Sequence, residues 1–210
     1  MSAAVADLGR RESATRYVQG LLFPAHPKSI EPMAKRMGVD PQGLQHSVSD
    51  SPWSEKAVWT VIRRNIIPHF EPIQAWVVDE TGCGKQGHYS VGVAPQYCGA
   101  LGKRANTQVS LEVVVTDGRI APPIGGRLYL AEYWAVDPDR RKRAGVPKHI
   151  TFATKPMIAL EIIKDASSEG VSPATVQADA VYGDNADFRA GLRSLNLEFF
   201  LKVDAGKHKG

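Results

Sequence analysis

The sequence predicts an α/β protein: a small helical N-terminal region followed by a mixed five-stranded sheet with helices. Two features lead to this prediction. The first 70 residues show apolar side chains at helical spacing, whereas short apolar runs typical of strands begin only after residue 74. After residue 150, strands alternate with helices, and helix-linked strands pair in parallel through right-handed crossovers. We therefore assign a helical region to residues 1–70 and a sheet-containing core to residues 71–210.

The composition is that of an ordinary globular protein with a slight excess of positive charge. The 210 residues include 26 Lys and Arg against 22 Asp and Glu, which gives a net charge of +4. This excess is compatible with a nucleic-acid partner but does not demonstrate one. No apolar run approaches the roughly 18 residues of a membrane span, and the N-terminus lacks a signal-peptide core. With only Cys83 and Cys98, a reducing cytoplasm is the expected location.

The helical region is predicted to contain four modest helices. Residues 12–23 place five apolar side chains on one helical face: Ala14, Tyr17, Val18, Leu21 and Leu22. Ser29, Asp40 and Ser51 are suitable caps for three further helices. Lysines and arginines are scattered over all four. They indicate either a solvated surface or a DNA-binding region, and no helix-turn-helix pattern decides between the two.

The core is predicted from its strand order. The predicted strands are residues 75–80, 88–94, 106–116, 174–179 and 198–203, with 128–130 as a short additional strand. The first three follow one another without helices, which favours an antiparallel meander, and helices at 154–169 and 185–195 precede the last two. A sheet with its first strand central fits this order, which is the ribonuclease H-like arrangement. A flavodoxin-like sheet would need helices between the first three strands.

Two aspartates follow strands that this arrangement makes neighbours. Asp79 comes after the apolar run Ala75–Val78, and Asp179 comes after Val176 and Ala178. Two adjacent carboxylates need a positive counter-charge. Mg²⁺ can supply this charge, because it binds oxygen ligands such as carboxylates. A pair of such ions assists in-line displacement at phosphorus. The alternative is that both aspartates are turn or capping residues. Glu80 points to the opposite face, where we expect a surface or supporting acid.

Several long stretches resemble a known family. RYVQGLLFPAHPKSIEPMAKRMG (Arg16–Gly38), LQHSVSDSPWSEKAV (Leu44–Val58) and VVDETGCGKQGHYSVGVAPQYCGALGK (Val77–Lys103) are similar to DDE-type insertion-sequence transposases, as are ATKPMIAL and ADAVYGDN between Ala153 and Asn185. Within this family, the stretches look most like those of the bacterial insertion-sequence family 701 group. It extends over nearly the whole chain, and the run beginning at Val77 is long and specific.

The resemblance implies a ribonuclease H-like core that cuts and joins transposon ends with Mg²⁺, for which Mn²⁺ can substitute. Asp79 and Asp179 correspond to the first two catalytic acids and metal ligands. The implied partners are double-stranded DNA, as transposon ends and target, and further copies of the chain in the active complex. No membrane partner is implied, and the expected location is the bacterial cytoplasm, on the nucleoid when DNA is bound.

The same resemblance implies a third acid, a glutamate on a helix beyond the last strand. The sequence stops at Gly210, just past that strand, and neither Glu161 nor Glu198 has the required position. We therefore expect the chain to be the N-terminal half of a transposase with two of its three acids.

Nine basic residues are candidate DNA contacts, because they flank loops, precede a helix, form a basic cluster or lie in the last strand. They are Lys85, Lys103, Arg104, Arg140, Arg141, Lys142, Arg143, Lys155 and Lys202. Residues 140–143 form a four-residue basic cluster, a pattern that often binds nucleic acid. Solvated surface lysines are the alternative for the loop positions.

Three functions remain open from the sequence. The chain is a transposase with an incomplete set of acids, a non-catalytic regulator that binds transposon ends, or a nuclease that needs only two acids. The first two are favoured, because nothing in the sequence completes the site. Dependence of activity or DNA affinity on Asp79 and Asp179 distinguishes them.

Overall fold

The structure is a computed structural model that describes residues 8–24 and 27–206. The chain divides into two compact units, residues 1–61 and 62–210. Among the described residues, no helix is both long and apolar enough to cross a membrane. Part of the N-terminal segment considered for a signal peptide, residues 1–7, lies outside the described residues.

The N-terminal unit is helical, as predicted. Its helices are α1 (Leu8–Leu22), α2 (Ile30–Met37), α3 (Pro41–Ser49) and the start of α4 (Glu55–Asn65). Asp40 caps α3 by accepting a hydrogen bond from the Gln42 amide, 3.2 Å away. Gly38 ends α2 in a left-handed conformation, with φ of 65°. Met33, Ala34 and Leu44 are buried and form the small core of this unit.

The second unit is built on a mixed six-stranded sheet. The strands are β1 (Ala75–Gly84), β2 (Ala94–Cys98), β3 (Lys103–Thr116), β4 (Pro123–Leu128), β5 (Thr175–Ala178) and β6 (Phe199–Leu201). The helices are α5 (Glu132–Ala135), α6 (Pro138–Arg143), α7 (Lys155–Ser168), α8 (Ala180–Gly183) and α9 (Ala186–Ser194). β1 pairs with β3 antiparallel and with β5 parallel, and β6 continues the sheet beyond β5.

The strand order β4-β3-β1-β5-β6 confirms the ribonuclease H-like arrangement with the first strand central. The sequence does not predict the sixth strand, β2, in addition to these five. It fits because β3 has 14 residues and two halves that pair separately. Residues 103–107 of β3 pair with β2, and residues 110–114 pair with β4.

The predicted strand at residues 88–94 is wrong. Residues 88–93 are not a strand: the Val93 amide donates to the Ser90 carbonyl at 3.1 Å in a turn, and Gly92 has φ of 75°, while Ala94 begins β2. The alternating pattern was misleading because Val93 packs in a small separate cluster with Leu130 and Trp134, away from the sheet. The third strand of the meander is β4, which ends where the additional strand at 128–130 was predicted to begin.

The main core lies between the sheet and the helices α7 and α9. Trp76, Val113, Val176 and Ile163 are all completely buried in it. The helices approach closely, because a Cβ added at Gly191 of α9 would lie 2.2 Å from a methyl carbon of Leu160 on α7. This packing fixes β5 beside β1, where the two aspartates were predicted to meet.

A candidate metal centre

The register between β1 and β5 sets Asp79 level with Asp179. Val77 is paired with Gln177 in this parallel ladder, and the two aspartates each follow two residues later. Parallel neighbours lie about 4.8 Å apart between strands. Both aspartates are exposed, on the face opposite the buried side chains of Trp76 and Val176. The structure thus brings the two predicted site residues together.

β1 continues beyond the expected strand end. Its parallel ladder with β5 stops at Val77, but its antiparallel pairing with β3 continues to Gly84. Asp79 therefore lies inside a strand, at the level where β5 has already ended. Asp179 caps the short helix α8, and its Oδ1 accepts from the Val181 amide at 2.9 Å.

The two carboxylates are anchored in the same way. Asp79 Oδ1 accepts from the Glu80 amide at 2.8 Å, as Asp179 Oδ1 does from Val181. Within the described part of the chain, no lysine or arginine pairs with either side chain, and Oδ2 of each accepts no hydrogen bond. Each exposed aspartate thus has one oxygen bound by a backbone amide and one without a described partner.

Glu112 is an acid near this site that the sequence analysis missed. It is the direct partner of Asp79 in the β1–β3 ladder, so both side chains lie on the same face. Its Oε2 accepts from the Thr81 hydroxyl at 3.3 Å. The available signal was an isolated acid on the half-buried face of a strand rich in valine. Among the residues that the structure describes, however, no three acids, histidines or cysteines form a metal-binding group.

Glu80 lies on the opposite, buried face and is not a surface acid. The Tyr182 hydroxyl donates to Glu80 Oε1 at 3.0 Å, and Lys155 Nζ donates to Oε2. The side chains of Glu80 and Lys155 are each only 23% exposed. Lys155 Nζ also lies 5.3 Å from the ring centroid of Tyr129, a cation–π contact. Glu80 is therefore fully engaged by residues of α7 and α8.

Tyr182 is the buried centre of this arrangement, with 1% of its surface exposed. Burial raises the pKa of its hydroxyl, and the neighbouring Glu80 carboxylate raises it further. The charges of Asp179 and Asp79 act in the same direction, so both aspartates lie within electrostatic range of one hydroxyl. The hydroxyl consequently stays protonated and serves as a hydrogen-bond donor.

Gly183, which follows Tyr182, is required by close packing. A Cβ at this position would lie 1.8 Å from the carbonyl oxygen of Lys202, just after β6. No side chain fits in that space, so the glycine after Tyr182 has a steric explanation.

The donor set suits a hard divalent cation in part. Carboxylate oxygens are the ligands that Mg²⁺ prefers, and it retains several waters when a protein supplies few ligands. Asp79 and Asp179 offer two such oxygens on an open face. The residues present therefore fit two ligands of a magnesium or manganese site.

Several predicted DNA contacts are occupied by the protein itself. The Arg140 guanidinium donates to the His88 carbonyl at 2.8 Å and lies 4.0 Å from the Trp134 ring centroid. Arg141 donates to three backbone carbonyls, those of Ala135, Pro147 and Ile150. Two further candidates are also engaged: Arg104, with the Pro95 carbonyl, and Lys155, with Glu80.

The other five candidates have exposed side chains: Lys85, Lys103, Lys142, Arg143 and Lys202. Lys85 directly follows β1, and Lys103 begins β3. Lys202 follows β6, next to the close approach at Gly183. A DNA role for all nine residues remains a prediction, and it is better supported for these five.

Comparison with known proteins gives a consistent family. The sequence profile of a family described as DDE superfamily endonuclease matches residues 5–207. The chain is 31% identical over 199 residues to a probable transposase for insertion sequence element IS701 from Microchaete diplosiphon. The alignment covers 92% of this chain and 49% of that protein, so the chain spans about half the length of this relative.

Two solved structures are also similar over most of the chain. The Mos1 transposase paired-end complex with left transposon end has a TM-score of 0.33 and 13% identity, covering 95% of this chain and 60% of that one. The Drosophila P element transposase strand transfer complex has a TM-score of 0.43 and 11% identity, covering 93% and 42%.

Proposed function

Because the chain belongs to the DDE superfamily endonuclease family, we propose that it forms part of the active site of a DNA transposase. Asp79 and Asp179 are its metal-holding catalytic acids. The observation that supports this assignment is the parallel register that sets the two aspartates level on adjacent strands. The reaction is cleavage and joining of DNA strands by displacement at phosphorus.

The two aspartates hold the metal through the oxygens that the protein leaves accessible. In each, Oδ1 accepts from a backbone amide, and Oδ2 has no partner among the described residues. When bound, Mg²⁺ or Mn²⁺ neutralises these carboxylates and stabilises the oxygens that attack and leave phosphorus. The rigidity of β1, paired on both sides up to Val77, keeps Asp79 in position before metal and DNA arrive.

We propose that a further acid comes from outside the described residues. Within them, no third metal-binding side chain joins Asp79 and Asp179. About half of the IS701 relative lies outside the alignment, which leaves ample chain for such a residue in a longer protein. The whole activity then requires that additional segment.

Double-stranded DNA is the proposed substrate, bound by phosphate contacts from the exposed basic residues. Lys85 and Lys202 directly follow strands of the catalytic sheet, Lys103 begins one, and all three are exposed. Such contacts are salt-dependent and independent of sequence. The proposed partners are transposon ends, target DNA and further copies of the chain in the active complex.

The test combines Mn²⁺ binding, followed by electron paramagnetic resonance, with nicking of supercoiled plasmid. The variants are Asp79→Asn and Asp179→Asn, which keep the backbone-anchored oxygen, and Glu161→Gln serves as a control on an exposed ion pair. We expect each aspartate variant to lower Mn²⁺ affinity at least 10-fold and to abolish any metal-dependent nicking, while Glu161→Gln changes neither. Unchanged Mn²⁺ affinity in both aspartate variants would contradict the assignment.

A second function, a non-catalytic regulator that binds DNA, is favoured by the incomplete acid set among the described residues. It shares the basic surface but does not use the metal. DNA affinity that is unaffected by Mn²⁺ and by both aspartate substitutions, together with absence of nicking, supports this second function.

A further inference from the structure

The two segments that bear the aspartates are connected on the buried side of the sheet. Glu80 follows Asp79 on β1, and Tyr182 is three residues beyond Asp179 on α8. The Tyr182 hydroxyl donates to Glu80 at 3.0 Å, and Lys155, the first residue of α7, pairs with the other oxygen of Glu80. We refer to Glu80, Tyr182 and Lys155 as the Glu80 clasp.

We propose that the Glu80 clasp positions Asp79 and Asp179 side by side, so that its members are positioning residues for the metal pair. This inference rests on the proposed function, because it assumes that the two aspartates act together. The metal-holding oxygens face solvent, and the clasp fixes the same two segments from the opposite face.

The clasp links the two segments beyond the end of the β1–β5 ladder. The β1–β5 ladder ends at Val77 and Gln177, two residues before the aspartates. Beyond that level, α8 is held to β6, through the packing of Gly183 on Lys202, and to β1 through the hydroxyl of Tyr182. The Tyr182 bond therefore joins the two aspartate segments past the last paired residues.

Lys155 neutralises the charge of Glu80, and this allows Glu80 to lie next to two aspartates on the other face of the sheet. An unpaired Glu80 would add a third negative charge next to Asp79 and would be costly in a half-buried site. With Lys155 and Tyr182 bound, both oxygens of Glu80 are occupied. Glu80 therefore does not compete with Asp79 for a cation, although the two residues are adjacent.

The most conservative test removes one hydroxyl. Tyr182→Phe keeps the buried ring, which lies 5.7 Å from that of Phe188, and removes the bond to Glu80. Tyr129→Phe is the matched control, because Tyr129 contacts Lys155 through its ring and is not the donor to Glu80. Glu80→Gln is the intermediate variant, since its amide oxygen still accepts from Tyr182 while the charge on Lys155 is left unpaired.

The first readout is hydrogen exchange at residues 181–184, which needs no metal. The Gly183 amide donates to the Asp179 carbonyl at 2.9 Å, and the Asp184 amide donates to the Ala180 carbonyl at 3.0 Å. We expect Tyr182→Phe to accelerate exchange of these amides about 10-fold. Exchange in β3 should not change, and Tyr129→Phe should match the unmodified chain at both places. Glu80→Gln should fall between the two tyrosine variants.

The second readout is Mn²⁺ affinity at a temperature where every variant is folded. We expect Tyr182→Phe to weaken binding about 3- to 10-fold, whereas Tyr129→Phe leaves it unchanged. A purely structural contribution of Tyr182 would accelerate exchange throughout the sheet and would not separate the two variants in metal affinity.

The outcomes separate this inference from the function on which it rests. If Asp79→Asn and Asp179→Asn abolish Mn²⁺ binding but Tyr182→Phe alters neither exchange nor affinity, the clasp is refuted and the metal assignment stands. If both aspartate variants bind Mn²⁺ normally, the metal assignment fails and no positioning role remains. Local exchange would then report only whether the clasp joins the two segments.

Discussion

Asp79 and Glu80 are neighbours on β1, but the two faces of the strand give them opposite surroundings. Asp79 is exposed and has no cationic partner among the described residues, while Glu80 is half-buried and bound by both Tyr182 and Lys155. Burial of a charge demands neutralisation, so the surroundings of Glu80 are what folding requires. Asp179 caps α8, but no described cationic side chain neutralises Asp79, which is level with Asp179 and opposite Glu112. This difference supports the proposed cation site on the exposed face.

The basic residues show a related contrast. Arg140 and Arg141 belong to the densest positive cluster of the sequence, yet their guanidinium groups bind backbone carbonyls and aromatic rings of the same unit. Lys85 and Lys103 lie outside that cluster and are exposed, as are Lys142 and Arg143 within it. Membership of the basic cluster therefore does not by itself decide which side chains are exposed.

The largest expected effect is on the free energy of unfolding and comes from removing the half-buried acid, Glu80. Glu80→Ala leaves Lys155 without its ion pair and the Tyr182 hydroxyl without its acceptor. We expect the free energy of unfolding to fall by about 2–3 kcal/mol. Glu161→Ala removes an ion pair with Arg127 whose glutamate is 57% exposed, and it should cost less than about 1 kcal/mol. Urea denaturation of both variants measures the difference.

Equal losses in the two glutamate variants would show that Glu80 is no more than another surface acid. A loss in Glu80→Ala that Lys155→Met partly reverses in the double variant would strengthen the account, because the unpaired lysine is then absent.

A smaller effect is expected at alkaline pH. The pKa of Tyr182 is raised in the folded chain by burial and by Glu80, so the folded state keeps a proton that the unfolded state releases above about pH 10. Stability from this group is fully present below pH 10 and is lost as the pH rises further, by up to about 1.4 kcal/mol per pH unit. Tyr182→Phe should therefore show a shallower decline between pH 10 and 11 in urea denaturation than the unmodified chain. Parallel declines in the two proteins would mean that Tyr182 ionises normally.

The smallest expected effect lies on the exposed face, and its sign is opposite. Asp79 is directly across from Glu112 and level with Asp179, and like charges in such pairs are destabilising. Asp79→Asn should therefore raise the free energy of unfolding in metal-free buffer by roughly 0.5 kcal/mol. The gain should disappear in high salt, which screens exposed charges. A clear loss of stability would place Asp79 among the structural acids, with Glu80.

Much of this fold follows from periodicity and strand order. The antiparallel start, the helical crossover before β5 and the terminal apolar strand predict a central β1, and the β1–β5 register confirms it. The short strand β2 was missed, because alternation at residues 88–94 reflects the packing of Val93 against Leu130 and Trp134. Local pattern cannot distinguish a strand facing the sheet core from a turn facing a second cluster.

The candidate site was less predictable than the fold. Asp79 and Asp179 could be predicted as neighbours, because the distance between them depends only on strand order and strand length. Glu112 requires the β1–β3 register, and the partners of Glu80 require side-chain positions from α7 and α8. These contacts join residues 75 and 102 positions apart in the chain. No local pattern encodes such pairs.

The most direct measurement is a Mn²⁺ titration of the isotope-labelled chain followed by nuclear magnetic resonance. Paramagnetic broadening depends steeply on distance from the ion. Asp117 is an internal control, because its carboxylate is already bound by the Arg119 and Ile120 amides, which lower its pKa to about 2. We predict that the amide signals of residues 79–80 and 179–181 broaden first and that those around Asp117 broaden last. Broadening centred elsewhere, or unchanged by Asp79→Asn, would contradict the assignment of this pair as the metal centre.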